Sequence, residues 1–195
     1  MTPIQPPFRP ARPEDAGILA ELVNHAGEGM PLYLWERLRE PGESAWDVGR
    51  RRAAREEGAF SYRNAIMIEA DGGAAGCLIG YEIADAPEPV ADDMPPMFRP
   101  LQELENLAPG SWYVNVLAVL PACRGLGLGT RLLGLADDLG RAAGKRGMSV
   151  IVADANLGAR RLYARVGYRE IASRPAVKDD WHCDSANWVL MTKAL

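Results

Sequence analysis

Residues 124–130 read Arg-Gly-Leu-Gly-Leu-Gly-Thr, with three glycines at alternate positions ahead of a leucine-striped segment. Glycines at a helix start let backbone N–H groups approach an anion closely, and the helix dipole adds favourable potential there. The stretch therefore predicts a phosphate or pyrophosphate site, although the same glycines would also serve as a packing turn between a strand and a helix. A P-loop needs Lys and Ser/Thr after its last glycine, whereas here Thr130 and Arg131 follow Gly129. A nucleoside triphosphatase is disfavoured. The dinucleotide fingerprint, counted from Gly125, would need glycine where Thr130 stands, which disfavours an NAD(P) enzyme of Rossmann type as well.

Other chemistries find little support. Cys77, Cys123 and Cys183 lie far apart, without the CxxC or Cys/His spacing of metal and redox sites. No metal is expected, and the thiols read as reduced in a cytoplasmic protein. With 26 acidic against 22 basic residues and a net charge of -4, nothing favours nucleic acid, whose phosphates reward clustered positive charge. No apolar run approaches the roughly 20 residues that span a bilayer. The first 13 residues hold five prolines and no signal-peptide pattern, so neither membrane association nor secretion is expected. A length of 195 residues fits a single domain, 1–195.

The elements that must position the glycine loop follow from periodicity. Pro13-Glu14-Asp15 opens a helix whose apolar positions run from Ile18 to Ala26. Helical patches follow at 32–39 and about 44–57, the latter carrying Arg50, Arg51, Arg52 and Arg55, read as a solvated face rather than a phosphate site. Segments 65–70 and 75–83 read as strands joined by the turn Asp71-Gly72-Gly73. The insertion at about 85–110, with six prolines, six acids and one arginine, is too polar for a core and reads as a functional loop or a disordered spacer; Leu101, Leu104 and Leu107 suggest a short helix in it. Trp112 to Leu120 reads as a strand buried on both faces. A helix with Leu128, Leu132, Leu135 and Leu139 along one stripe comes next, then a strand at 149–153 and a helix capped by Asn156 and stopped by Gly167. Strands at 168–172 and 188–192 close the chain. The order over 112–172 predicts a parallel βαβ core.

Two blocks carry a family resemblance. Leu117-Ala118-Val119-Leu120-Pro121, two residues, then Arg-Gly-Leu-Gly-Leu-Gly resembles the acyl-CoA motif of the GNAT N-acetyltransferase superfamily. Asn156-Leu157-Gly158-Ala159-Arg160-Arg161-Leu162-Tyr163-Ala164-Arg165-Val166-Gly167-Tyr168 is similar to that superfamily's Asn-x-x-Ala-x-x-Leu-Tyr-x-x-x-Gly-Phe/Tyr signature. The resemblance covers residues 112–172 at the level of individual residues. It implies a mixed α/β (α+β) fold, with a mostly antiparallel central sheet, a parallel βαβ core and flanking helices. It also implies acetyl-CoA as co-substrate and an amine as acceptor, either a small molecule or a protein amine.

Carried over by position, the resemblance implies that the backbone of Leu117, Ala118 and Val119 pairs with the pantetheine arm. A backbone N–H near Val119 would polarise the thioester carbonyl, where charge develops during attack. Arg124, Gly125, Leu126, Gly127, Leu128, Gly129 and Thr130 would hold the pyrophosphate, Asn156 would contact the cofactor arm, and Tyr163 would protonate the leaving thiolate. An ammonium near pKa ~10.4 must also lose a proton before attack. Some members carry an acid for this on the strand before the loop, or five residues before the motif asparagine; here 112–120 has no acid, and Ile151 occupies the second place. Glu82, Glu103, Glu105, His182 and Asp184 remain as candidate bases. The missing base also leaves open a non-catalytic acyl-CoA-binding module. Superfamily members are often dimers, so a homodimer is an expectation of the resemblance alone. Acids concentrate in 85–110, and Arg124, Arg131 and Arg160 to Arg165 surround the two motifs; this separation suits an anionic donor and a cationic acceptor.

Overall fold

The computed structural model describes residues 4–195. Its elements run β1 (Phe8–Pro10), α1 (Ala16–Ala26), α2 (Met30–Glu36), α3 (Ala45–Ala53), β2 (Ala65–Ala70), β3 (Gly73–Glu82), α4 (Arg99–Glu105), β4 (Trp112–Val119), α5 (Leu128–Ala142), β5 (Gly147–Ala153), α6 (Leu157–Arg165), β6 (Arg169–Pro175) and β7 (Asn187–Ala194). The strands form a seven-stranded sheet in the order β1-β2-β3-β4-β5-β7-β6. Its one parallel pair is β4 with β5, joined through α5, and its register runs from Trp112↔Met148 to Val114↔Val150. The mixed, mostly antiparallel fold with a βαβ core is the one that the two motifs imply.

Contacts group the chain into two compact units. The first comprises residues 4–79 together with Val116–Leu132. Asp71 and Gly72 both take positive φ, 51° and 79°, the backbone of a two-residue hairpin turn, and β2 and β3 pair antiparallel from it. Leu19 and Leu22 of α1 are fully buried with Met67, Cys77 and Ile79, and Val116 and Ala118 join the same cluster; full burial of a leucine, isoleucine or methionine side chain contributes about 1.5–3 kcal/mol. A second cluster centres on Trp35, which stacks on Phe60 at 5.7 Å. In α3, hydrogen bonds from Ser44, then from Arg50, hold the Asp47 carboxyl down to about 2. Arg50 pairs with Asp47 at 2.6 Å and Arg51 with Glu43 at 3.0 Å. These arginines are partnered within the protein, as the solvated-face reading expects.

This helix ends at Ala53, earlier than the expected 57. Gly58 takes φ 90°, and the buried Ser61 hydroxyl donates to the Arg55 carbonyl, which turns the chain out of the helix.

The second unit comprises Gly80–Asn115 and Leu133–Leu195. The insertion belongs to it and corrects an expectation: Leu104 is fully buried, and Met97 and Ala108 are 7% exposed. Composition concealed this, because the three side chains are spaced along a largely polar segment. The insertion is pinned at its base, where Ile83 N–H donates to the Ser111 carbonyl at 2.9 Å and Gly110 N–H to the Ala84 carbonyl at 2.8 Å. Its helix, α4, packs against β5, β6 and β7. A buried 2.7 Å hydrogen bond between the Ser111 and Ser149 hydroxyls joins the start of β4 to β5. Beyond Val114 the expectation of a strand buried on both faces fails at Asn115, which is exposed. The register with β5 stops at Val114.

Candidate active site

The glycine loop lies wholly within the first unit. Arg124 donates from Nε to the Val119 carbonyl at 3.3 Å, which folds the loop back on the strand it leaves. Gly125 and Gly127 take φ 83° and 75°, and a Cβ at either would meet nothing within 4 Å. Open space rather than packing surrounds them, which argues against a mere packing turn. Leu126 is 60% exposed, while Leu128 is buried and anchors the start of α5. The first helical bond runs from Arg131 N–H to the Gly127 carbonyl at 3.1 Å. Among the described residues the N–H groups of Leu128, Gly129 and Thr130 therefore have no backbone acceptor, and they sit at the positive end of a 15-residue helix.

In the second unit, Asn156 caps α6, its Oδ1 accepting from Ala159 N–H at 3.0 Å. Arg160 donates to the Asp154 carbonyl at 3.1 Å and to Glu170 at 2.9 Å. Tyr163 is 5% exposed, and burial raises its pKa well above that of an ordinary phenol. Its ring lies 5.7 Å from that of Tyr168, which also belongs to the motif.

The five candidate bases differ sharply in their surroundings. Glu82 pairs with Lys145 at 3.1 Å and Glu103 with Arg174 at 3.0 Å. His182 is exposed, its Nδ1 2.9 Å from the Asp180 carbonyl oxygen, and Asp184 is exposed. Glu105, at the end of α4, is half-buried and has no cationic partner among the described residues. Burial, with a contribution from the charge of Glu88, pushes its carboxyl up to about 7.

Two neighbours of Glu105 were missed by sequence reasoning. Tyr81 on β3 and Tyr113 on β4 meet edge to face at 5.4 Å, and burial first, then the Glu105 charge, raises both phenols. Only the pairing of β3 with β4 brings them together, so no local sequence signal could have found them. Among the described residues no group of three His, Cys, Asp or Glu could hold a metal ion, and no helix is long and apolar enough to cross a membrane.

Comparison with known proteins agrees with this architecture. One solved acetyltransferase matches with a TM-score of 0.63 at 22% identity, over 96% of this chain and 98% of its own. An N-acetyltransferase from Staphylococcus aureus Mu50 matches at 0.60 and 19%, over 95% and 98%. A GNAT family acetyltransferase from Elizabethkingia anophelis, solved with acetyl-CoA bound, matches at 0.50 and 14%, over 67% and 75%. At these identities the likeness is one of fold. No curated protein matches the chain. The sequence model of the acetyltransferase (GNAT) family matches residues 31–168, which take in both motifs, the glycine loop and Glu105. By that match the chain belongs to the acetyltransferase (GNAT) family and is an acyltransferase.

Proposed function

We propose that this acyltransferase moves an acetyl group from acetyl-CoA to an amine by direct attack within a ternary complex. The observation that carries the reading is the loop at the start of α5, with three N–H groups that lack backbone acceptors among the described residues, beside Gly125 and Gly127 in open space. Such a cradle suits a pyrophosphate. Arg124 through Thr130 hold that group, and the backbone of Leu117, Ala118 and Val119 receives the pantetheine arm. When bound, acetyl-CoA supplies a thioester carbonyl as acyl donor. A backbone N–H near Val119 polarises that carbonyl, and Asn156 contacts the arm while capping α6.

Tyr163 serves the leaving sulfur. A thiol of pKa ~8.5 needs only a modest acid, and the raised pKa of Tyr163 keeps its phenol protonated throughout the working range. Its first contribution is therefore a hydrogen bond to the departing thiolate. Cys77, Cys123 and Cys183 are unpaired, in keeping with a reducing, cytoplasmic setting.

Titration calorimetry with acetyl-CoA, followed by amine-dependent thiol release, tests the reading. Gly127→Glu places a carboxylate in the anion cradle at a residue with φ 75° and weakens acetyl-CoA by about 30-fold or more. Tyr163→Phe keeps binding within about twofold and lowers turnover about 10- to 100-fold. Failure of the wild-type protein to bind acetyl-CoA at millimolar concentration overturns the proposal.

A further inference from the structure

Buried polar side chains nearly always find a partner within the protein. In the second unit the buried Tyr113 on β4 and Tyr163 on α6 do not, and beside them stand the half-buried Glu105 on α4 and Tyr81 on β3, which is 37% exposed. Among the described residues none of their hydroxyl or carboxyl groups makes a hydrogen bond or ion pair, and none is among the fully enclosed unpartnered atoms. They therefore reach accessible surface, although Tyr113 and Tyr163 are each only 5% exposed. The Tyr81 and Tyr113 rings meet at 5.4 Å; Tyr113 also lies within electrostatic reach of Glu105 and Tyr163, and Tyr81 within reach of Glu105 and Glu88.

We propose that this cluster is the acceptor subsite, that it takes a cationic primary amine with an aromatic or alkyl body, and that Glu105 is the base that removes the ammonium proton. The assignment rests on the acetyl-transfer reading above and names its acceptor class and base. Lys145 and Arg174, which could favour an anionic acceptor, are held by Glu82 and Asp85 and by Glu103, so the uncompensated charge here is negative. Tyrosine faces attract a cation and pack against an apolar body.

The step balances without a further reactant. The ammonium gives one proton to the Glu105 carboxylate, and the freed nitrogen lone pair forms the bond to the acetyl carbonyl carbon. The carbon–sulfur bond breaks, and its electron pair leaves on sulfur. The new amide nitrogen sheds its second proton, sulfur gains one, and Glu105 returns its proton to water, so one proton is released per acetyl group transferred.

Glu105, whose carboxyl sits at about 7, carries its charge only above neutrality. The titratable groups within electrostatic reach of it are Tyr81, Tyr113 and Glu88; the tyrosines stay protonated, which leaves Glu105 to set the acidic limb, raised by burial and by the charge of Glu88. The test follows kcat/KM for arylalkylamines, alkylamines and amino acids between about pH 5.5 and 9 in the wild type, Glu105→Gln and Tyr81→Leu. Acetyl-CoA affinity is measured in parallel by calorimetry. The expected result is a preference for amines without a carboxylate, an acidic limb near pH 7, and its loss in Glu105→Gln with a fall of about 100-fold or more. Acetyl-CoA affinity stays within about twofold, and Tyr81→Leu, altered at a half-exposed ring, raises amine KM more than it lowers kcat. Retention of the limb and rate in Glu105→Gln, or a preference for carboxylate-bearing acceptors, overturns this assignment alone. Absence of acetyl-CoA binding in the wild type overturns the acetyl-transfer reading and this assignment with it.

Discussion

Asn106 grips the backbone of Glu88 from both ends of its carboxamide: Oδ1 accepts from Glu88 N–H at 3.0 Å, and Nδ2 donates to the Glu88 carbonyl at 2.7 Å. The clamp crosses the inserted segment and fixes a carboxylate whose charge opposes ionisation of Glu105. Removing that charge eases ionisation, so Glu88→Gln moves the acidic limb of the rate profile to lower pH, by about half a unit for a solvent-screened pair. Asn106→Ala frees the same charge to move away and shifts the limb in the same direction by less. A limb that stays in place in both variants excludes Glu88 from the environment of Glu105.

The raised carboxyl of Glu105 also sets a sign for stability. Between its ordinary value of 4.5 and about 7 the folded state binds more protons than the unfolded chain, so this group makes stability fall as pH rises through that window. Above it the cost is fully present. Glu105→Gln lacks the titration, and chemical denaturation should find it more stable than the wild type at pH 8 by about 1–2 kcal/mol, after discounting for partial exposure. The advantage shrinks towards pH 5. A constant difference across both conditions contradicts the burial of Glu105.

Legibility in the sequence tracked how local each signal was. The Asp71-Gly72 turn, the Asn156 cap and the leucine stripe of α5 are written within a few residues each, and all three are present. The loop and the Tyr163 motif are equally local, which is why the resemblance to an acyl-CoA site can be stated residue by residue from the sequence. Glu105 was no more than one candidate base among five, because its distinction depends on neighbours drawn from β3, β4 and the inserted segment. The short helix of the insertion is present as its leucines suggest, but its share in the core was hidden for a related reason: average polarity masked Leu104, whose burial depends on the sheet beneath α4.

Two glycines with opposite surroundings make a paired test of packing. On β3, a Cβ at Gly80 would strike the Trp112 ring and come within 2.7 Å of the Tyr113 carbonyl oxygen. The strand can only yield by moving the backbone that carries Tyr113. Gly80→Ala should lower stability by about 2–4 kcal/mol and blunt amine turnover at a temperature where the variant is still folded. Gly134, in the interior of α5, is exposed with nothing within 4 Å of its ideal Cβ. There alanine should raise stability by about 0.5–1 kcal/mol, through helix propensity and a less flexible unfolded chain. Thermal melts of the two variants should move in opposite directions.

The second unit also carries an enclosed ion pair. Lys193 Nζ on β7 donates to Asp137 Oδ2 on α5 at 2.5 Å and to the Val166 carbonyl after α6 at 3.4 Å, with its ammonium 5.0 Å from the centre of the Tyr168 ring. The two side chains are 9% and 17% exposed, and Asp137 Oδ1 is enclosed without a partner. One ammonium thus joins three elements, one of which carries Tyr163. Lys193→Met leaves an uncompensated carboxylate in that setting and should cost about 3–5 kcal/mol. Replacing both partners, Asp137→Leu with Lys193→Met, removes the stranded charge and its desolvation together, so the double variant should recover most of the loss. Denaturant midpoints of the two singles and the double complete the cycle. If the double variant is as unstable as the Lys193→Met single, packing of the lysine stem rather than the ion pair holds these elements together.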